Sequence, residues 1–207
     1  MNGINDIVTN ITNMYLAFNK DLDAKLPEDV VFSLIPNRGR SKYLGWFAAS
    51  RWTKGDNRLH EINIASDFLN RNVDDIAETL IHEMAHLKNS VEGIKDCTPT
   101  QYYNRAFKKQ AEAFGLKVDK MRNKGYALTA LNEKAQVIVD TYKKNILEGN
   151  NPFIIHRVSD VKPSRINPKK SVAIDRGLAD EIMDKQGGKL SGAVDIILRE
   201  WLLNNGD

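Results

Sequence analysis

Asn72-Val73-Asp74-Asp75-Ile76-Ala77-Glu78-Thr79-Leu80-Ile81-His82-Glu83-Met84-Ala85-His86-Leu87 is the most informative stretch of the chain. Val73, Ile76, Ala77, Leu80, Met84 and Leu87 recur at helical spacing and predict one apolar stripe. Asn72 is a predicted N-cap, and Asp74 and Asp75 fall in the first turn, where carboxylates complement the helix dipole. Asn89 and Ser90 mark the expected end. Within this helix, residues 82–86 read His-Glu-x-x-His. Side chains four apart share a helix face, so both imidazoles can meet one zinc ion. Glu83 sits beside them, placed to take a proton from water whose pKa the metal lowers. The pentapeptide occurs by chance; its place in a capped amphipathic helix gives it weight.

Other elements flank that helix. Ile4, Ile7, Val8, Ile11, Met14, Tyr15 and Phe18 predict a helix over 4–23, broken at Leu26-Pro27-Glu28. Val30 to Ile35 reads as a strand closed by Pro36-Asn37. His60, Ile62 and Ile64 alternate with Glu61 and Asn63 after the turn signal Gly55-Asp56-Asn57, which predicts a second strand and a small antiparallel sheet. Further helices are expected over about 101–114, stopped at Gly115, and about 132–147, with a short strand at Phe153-Ile154-Ile155. The expected class is α+β.

Composition narrows the function classes. The chain has 207 residues and 30 basic against 27 acidic side chains, a net charge of +3 that excludes a polycation. A single cysteine, Cys97, rules out an internal disulfide and a four-cysteine zinc site; it reads as structural or incidental and points to a reducing compartment. No run approaches the roughly 18 apolar residues of a membrane span, and no basic n-region with an apolar core opens the chain. The expectation is a soluble cytoplasmic protein.

A catalytic zinc usually takes three protein ligands plus water. Only four histidines exist: His60, His82, His86 and His156. His60 and His156, Glu92 six residues after His86, Glu112 on the following helix and Tyr103 near its start are all open as a third ligand.

The segments Glu61-Ile62-Asn63-Ile64, Leu80 to Leu87, Gly93-Ile94-Lys95-Asp96-Cys97, Tyr102-Tyr103-Asn104-Arg105-Ala106-Phe107 and Glu112-Ala113-Phe114-Gly115-Leu116 together resemble a SprT-like (Spartan-like) zinc metallopeptidase. The style is that of members carried by phages and other mobile elements, and the resemblance covers roughly residues 5–158. It implies a zincin-like metallopeptidase domain, zinc, a protein or peptide substrate, and proteolysis associated with DNA. It also implies a third ligand from a histidine in a pattern like Tyr-His-Asn-x-x-Phe. Tyr103 stands in that place. Either Tyr103 ligates zinc, giving a weaker or pH-dependent site, or two histidines alone remain and the chain is a weak or inactive peptidase. The family's common Cys-rich zinc ribbon is excluded by the lone cysteine.

The remaining chain changes character. Residues 159–169 belong to a basic, Pro-containing linker, the stretch 157–170 holding Arg157, Lys162, Arg165, Lys169 and Lys170 against Asp160. Residues 170–207 read strand, helix, Gly187-Gly188 turn, and a helix capped by Ser191. This segment resembles a ribbon-helix-helix module, a dimeric DNA-binding fold that lays its ribbon in the major groove. On that likeness Lys169 and Ser171 face DNA, and Lys189 with the Ser191 amide holds a phosphate. About 38 residues cannot bury a sufficient core alone, so a homodimer is expected. The competing reading is a dimerisation or partner-binding clip. Two other basic clusters, 38–58 and 105–124, fit nucleic acid or simply solvated faces; the first interleaves Tyr43, Trp46, Phe47 and Trp52, as base-stacking surfaces do.

Overall fold

A computed structural model of the chain describes residues 3–37, 43–148 and 150–153. Over these residues the class is α+β: α1 (Ile4–Asp21), β1 (Val30–Ser33), β2 (Gly45–Lys54), β3 (Asn57–Ile64), a 3-10 turn at Ser66–Phe68, α2 (Val73–Val91), α3 (Arg105–Ala113), β4 (Leu116–Met121), β5 (Gly125–Leu131) and α4 (Glu133–Asn145). The expected strand at 153–155 is not found at Phe153, which lies in a turn; Ile154 and Ile155 lie outside the described residues. The linker 159–169 and the strand-helix-helix segment 170–207 also lie outside them, with Lys169, Ser171, Lys189 and Ser191.

The helix α2 runs through the centre. Its whole expected stripe is buried, and Ile81 and Ala85 are buried too. A helix apolar beyond one stripe must be covered on several sides, and here β2, β3, α3 and the β5 strand all pack on it. Asn72 caps it as expected, its side-chain oxygen accepting the Asp75 N–H at 2.8 Å. Such caps are worth about 1 kcal/mol. On the far side, α1 contributes Ile7, Ile11, Met14, Tyr15 and Phe18 to the same core. Tyr15 meets Phe32 edge-on, and Phe18 meets Tyr142 of α4 in the same way.

The first sheet differs from the small antiparallel sheet expected. Its order is β1-β3-β2, with β2 antiparallel to β3 but β1 parallel to it. Gly55, at φ +60°, turns the β2–β3 hairpin, whereas β1 enters from α1 on the opposite edge and is free to run alongside β3. The alternation of β3 does not separate core from solvent either. Ile62 and Ile64 are in the core, but Glu61 and Asn63 are buried as well. They are covered by the end of β1: Ser33 Oγ donates to Glu61 Oε1 at 2.5 Å, and the Ile35 N–H donates to Asn63 Oδ1 at 2.6 Å. Buried polar groups persist when they are paired in this manner.

A second sheet, the antiparallel hairpin β4–β5, occupies a stretch for which helical periodicity predicts nothing. Its signal is short: Leu116 and Val118 alternate into the core, and Arg122-Asn123-Lys124-Gly125 makes the turn. The helix expected from about 101 begins later, at Arg105. Asn104 caps it, accepting from the Ala106 and Phe107 amides. Tyr103 is held out of the helix because its N–H donates to the Lys124 carbonyl and its carbonyl accepts from the Tyr126 N–H. Gly125 permits that approach, since a Cβ there would stand 2.1 Å from the Tyr103 carbonyl oxygen.

Among the described residues no helix is long and apolar enough to cross a membrane.

Candidate metal centre

His82 and His86 project from successive turns of α2, their ring centroids 5.2 Å apart. Tyr103 comes from the loop before α3, with its ring 5.5 Å from His82 and 4.8 Å from His86. Phe107, one turn into α3 and fully buried, stacks on His86 at 4.4 Å and tilts against His82 at 4.7 Å. The α2–α3 packing therefore brings both histidines and Tyr103 together, with the Phe107 ring packed against all three.

Both imidazoles have a partner on Nδ1. His86 Nδ1 lies 2.7 Å from Asp96 Oδ2, which also accepts from the Asn89 side-chain amide at 3.1 Å. Asp96 is buried and an ionised carboxylate can only accept, so the hydrogen of this contact sits on His86 Nδ1, as in the Nδ1–H tautomer whose Nε2 can bind a metal. His82 Nδ1 lies 3.2 Å from the Thr129 hydroxyl of β5. Burial, with His86 beside it, holds the His82 imidazolium well below the usual histidine range and keeps the ring neutral. Metal-bound histidines characteristically show this arrangement: neutral, with the second nitrogen tied to a carboxylate or other oxygen. The two imidazoles are donors of the kind zinc takes and would hold it through nitrogen, with the Tyr103 ring beside them.

Glu83 is only 5% exposed and accepts a backbone hydrogen bond from Phe47 of β2. Burial pushes its carboxyl up to about 7; Asp96 adds to the push, while His86 and the Phe47 amide oppose it. Gly45 makes room for it. A Cβ at Gly45 would lie 2.7 Å from the Asn63 carbonyl, 2.9 Å from Thr79 Cγ2 and 3.4 Å from Glu83 Oε1. Glu83, His86 and Tyr103 line a cavity of about 290 Å³ with Trp46, Phe47 and Cys97. Burial, and then Glu83 among its acidic neighbours, pushes the Tyr103 phenol well above its ordinary range.

Of the other ligands left open in the sequence, His60, Glu92 and Glu112 are not brought here. The ring of His60 takes the Ser50 amide at 3.2 Å and leans on Phe47. Glu92 pairs with Lys88 at 3.1 Å and Glu112 with Lys108 at 3.5 Å, both on helix surfaces. His156 lies outside the described residues. Cys97 is exposed, yet a donor atom of its side chain lies with those of His86 and Asp96 within 4.8 Å. Asp96, inside the segment Gly93-Ile94-Lys95-Asp96-Cys97, and Thr129 are the hydrogen-bond partners of the two histidines, a role the sequence does not assign to either. Asp96 stands ten residues after His86 and Thr129 on a hairpin not predicted; only folding brings them in.

A larger cavity, about 680 Å³, is lined by Tyr43, Trp46, Arg51, Trp52 and Glu61, among others, and by none of His82, Glu83 or His86. The aromatic residues of 43–52 thus divide: Trp46 borders both cavities and Phe47 only the one at Glu83. In the 105–124 cluster, Lys108 and Lys120 lie over the Tyr126 ring and Lys124 over Tyr43.

Comparison with protein-family models, with curated proteins and with solved structures found no match to this chain.

Proposed function

We propose that this chain is a zinc-dependent metallopeptidase with a zincin-like, SprT-like domain, acting in the cytoplasm on protein or peptide substrates that include DNA-bound proteins. One observation carries the reading. Two imidazoles on one helix face both have Nδ1 engaged, next to a buried glutamate that shares a cavity with His86.

His82 and His86 would hold zinc through Nε2, with Tyr103 as third ligand. When bound, zinc would lower the pKa of a water and polarise the scissile carbonyl. Glu83 would accept a proton from the attacking water and return it to the leaving amine nitrogen. Asp96 and Asn89 keep the His86 ring in one orientation, and Phe107 fixes the distance between the two imidazoles by packing against both. Low exposure at Glu83 removes competing water from the carboxylate.

The C-terminal segment 170–207 would dimerise the chain and tether it to DNA through Lys169, Ser171, Lys189 and Ser191. Measuring bound zinc per chain and cleavage of a DNA-bound protein, for wild type and Glu83→Gln, tests the whole reading. Retained proteolysis in Glu83→Gln would sink the mechanism.

The second reading is a catalytically weak or inactive scaffold of the same kind serving as a DNA-binding or regulatory protein. The feature favouring it is Tyr103. A phenol whose ionisation is opposed by burial and by Glu83 is a poorer donor than an imidazole. Under this reading Tyr103→His creates or strengthens cleavage; under the first, Tyr103→Phe reduces it.

A further inference from the structure

We infer that Thr129 and Glu78 form a relay that sets the tautomer of His82, and so make the β4–β5 hairpin a positioning element of the metal centre. The inference rests on His82 being a metal ligand. It adds two residues that neither the motif nor its helix face identifies as a unit.

The chemistry follows from counting hydrogens. A threonine hydroxyl has one hydrogen to give and lone pairs to receive. Thr129 Oγ1 lies 2.7 Å from Glu78 Oε1, to which it donates. Its one hydrogen is then spent, and toward His82 Nδ1, 3.2 Å away, it can act only as an acceptor. The hydrogen in that contact must therefore come from the ring. His82 is Nδ1–H, and its Nε2 keeps the lone pair a metal needs. Glu78 stands four residues before His82 on α2, so both ends of the relay share a helix face while its middle comes from β5. Without Glu78, the hydroxyl is free to turn and donate to Nδ1, which places the ring hydrogen on Nε2 and blocks the ligand atom.

His86 reaches the same tautomer by a different device, the direct carboxylate of Asp96. The two histidines are thus prepared from opposite sides: one by the loop after α2, the other by the hairpin. Thr129 pairs across the hairpin with Val118, whose side chain is buried in the core, so the hydroxyl sits on a strand held by packing rather than on a free loop.

The test uses the whole 207-residue chain with Thr129→Val, Thr129→Ser and Glu78→Met. Long-range proton–nitrogen correlation spectra of the metal-free protein report which ring nitrogen of His82 carries hydrogen. Competition with a chromophoric chelator reports zinc affinity. The expected result is an Nδ1–H ring in wild type and in Thr129→Ser, lost in Thr129→Val and Glu78→Met, with zinc affinity falling about 10–100-fold in those two. An unchanged Nδ1–H ring in both Thr129→Val and Glu78→Met would overturn the relay. Because that spectrum is taken without metal, it decides the relay even if zinc binding fails. His82→Ala in the affinity assay separately decides whether His82 is a ligand: wild-type affinity in that variant would contradict the metal reading.

Discussion

His86 Nδ1 lies 2.7 Å from Asp96 Oδ2, and both groups are almost wholly buried. A carboxylate so placed fixes the ring's orientation, holds its hydrogen on Nδ1, and raises the basicity of the other ring nitrogen. Asp96→Asn keeps the shape but can turn an N–H toward Nδ1. Zinc affinity is expected to fall about 10–100-fold, read by chelator competition, with the helical circular dichroism unchanged. Wild-type affinity in this variant would show that Asp96 serves folding alone.

The buried carboxyl of Glu83 makes the metal-free protein sensitive to pH. Its ordinary value is 4.5, and in the fold it is pushed up to about 7 by burial. A folded-state value above the unfolded one means that the folded chain holds the proton more tightly. This contribution to stability is full below pH ~4.5 and is lost as pH rises to about 7. The size is on the order of 3 kcal/mol. Glu83→Gln cannot ionise, so its stability relative to wild type should increase by that order between pH 4 and pH 8. Urea unfolding of the chelator-treated proteins at the two pH values measures it, and an equal difference at both would contradict the burial argument.

Two glycines separate close approach from conformation. A Cβ on Gly125 would meet the Tyr103 carbonyl oxygen at 2.1 Å, at φ +66°. Gly55 has φ +60° but nothing within 4 Å. Gly55→Ala is expected to cost about 1–2 kcal/mol from backbone conformation alone. Gly125→Ala should cost about 3 kcal/mol or more and displace Tyr103. Thermal unfolding of both variants, with zinc titration of the second, checks the difference.

Much of this was legible in the sequence because it is local. The α2 stripe, the Asn72 cap and the histidine pair depend on spacing within a few turns. The start of α3 was misread because Tyr103 is drawn into pairing with Lys124 and Tyr126, some twenty residues on. The parallel β1–β3 pairing was missed for a similar reason, as no turn signal marks a parallel edge. The alternation of Glu61 and Asn63 with Ile62 and Ile64 predicts a strand but not their partners: Ser33 and the Ile35 amide pair them inside. The juxtaposition of His82 and His86 follows from their spacing on one helix, whereas the pairing of Asp96 with His86 and of Thr129 with His82 depends on how the following loop and the β4–β5 hairpin fold back.

Tyr103 sits against both histidines, 5.5 Å and 4.8 Å between ring centroids. An imidazole there would be a better neutral donor than a phenol whose ionisation is opposed by its surroundings. Tyr103→His is expected to tighten zinc binding at least about tenfold, and Tyr103→Phe to weaken it, by the same competition assay. Equal affinities in all three proteins would remove Tyr103 from the ligand set.

The most direct measurement is zinc content and proteolysis of a DNA-bound protein by wild type and Glu83→Gln side by side. One zinc per chain is expected in both, with cleavage by wild type alone. A wild-type protein that binds no zinc, or a Glu83→Gln protein that still cleaves, would contradict it.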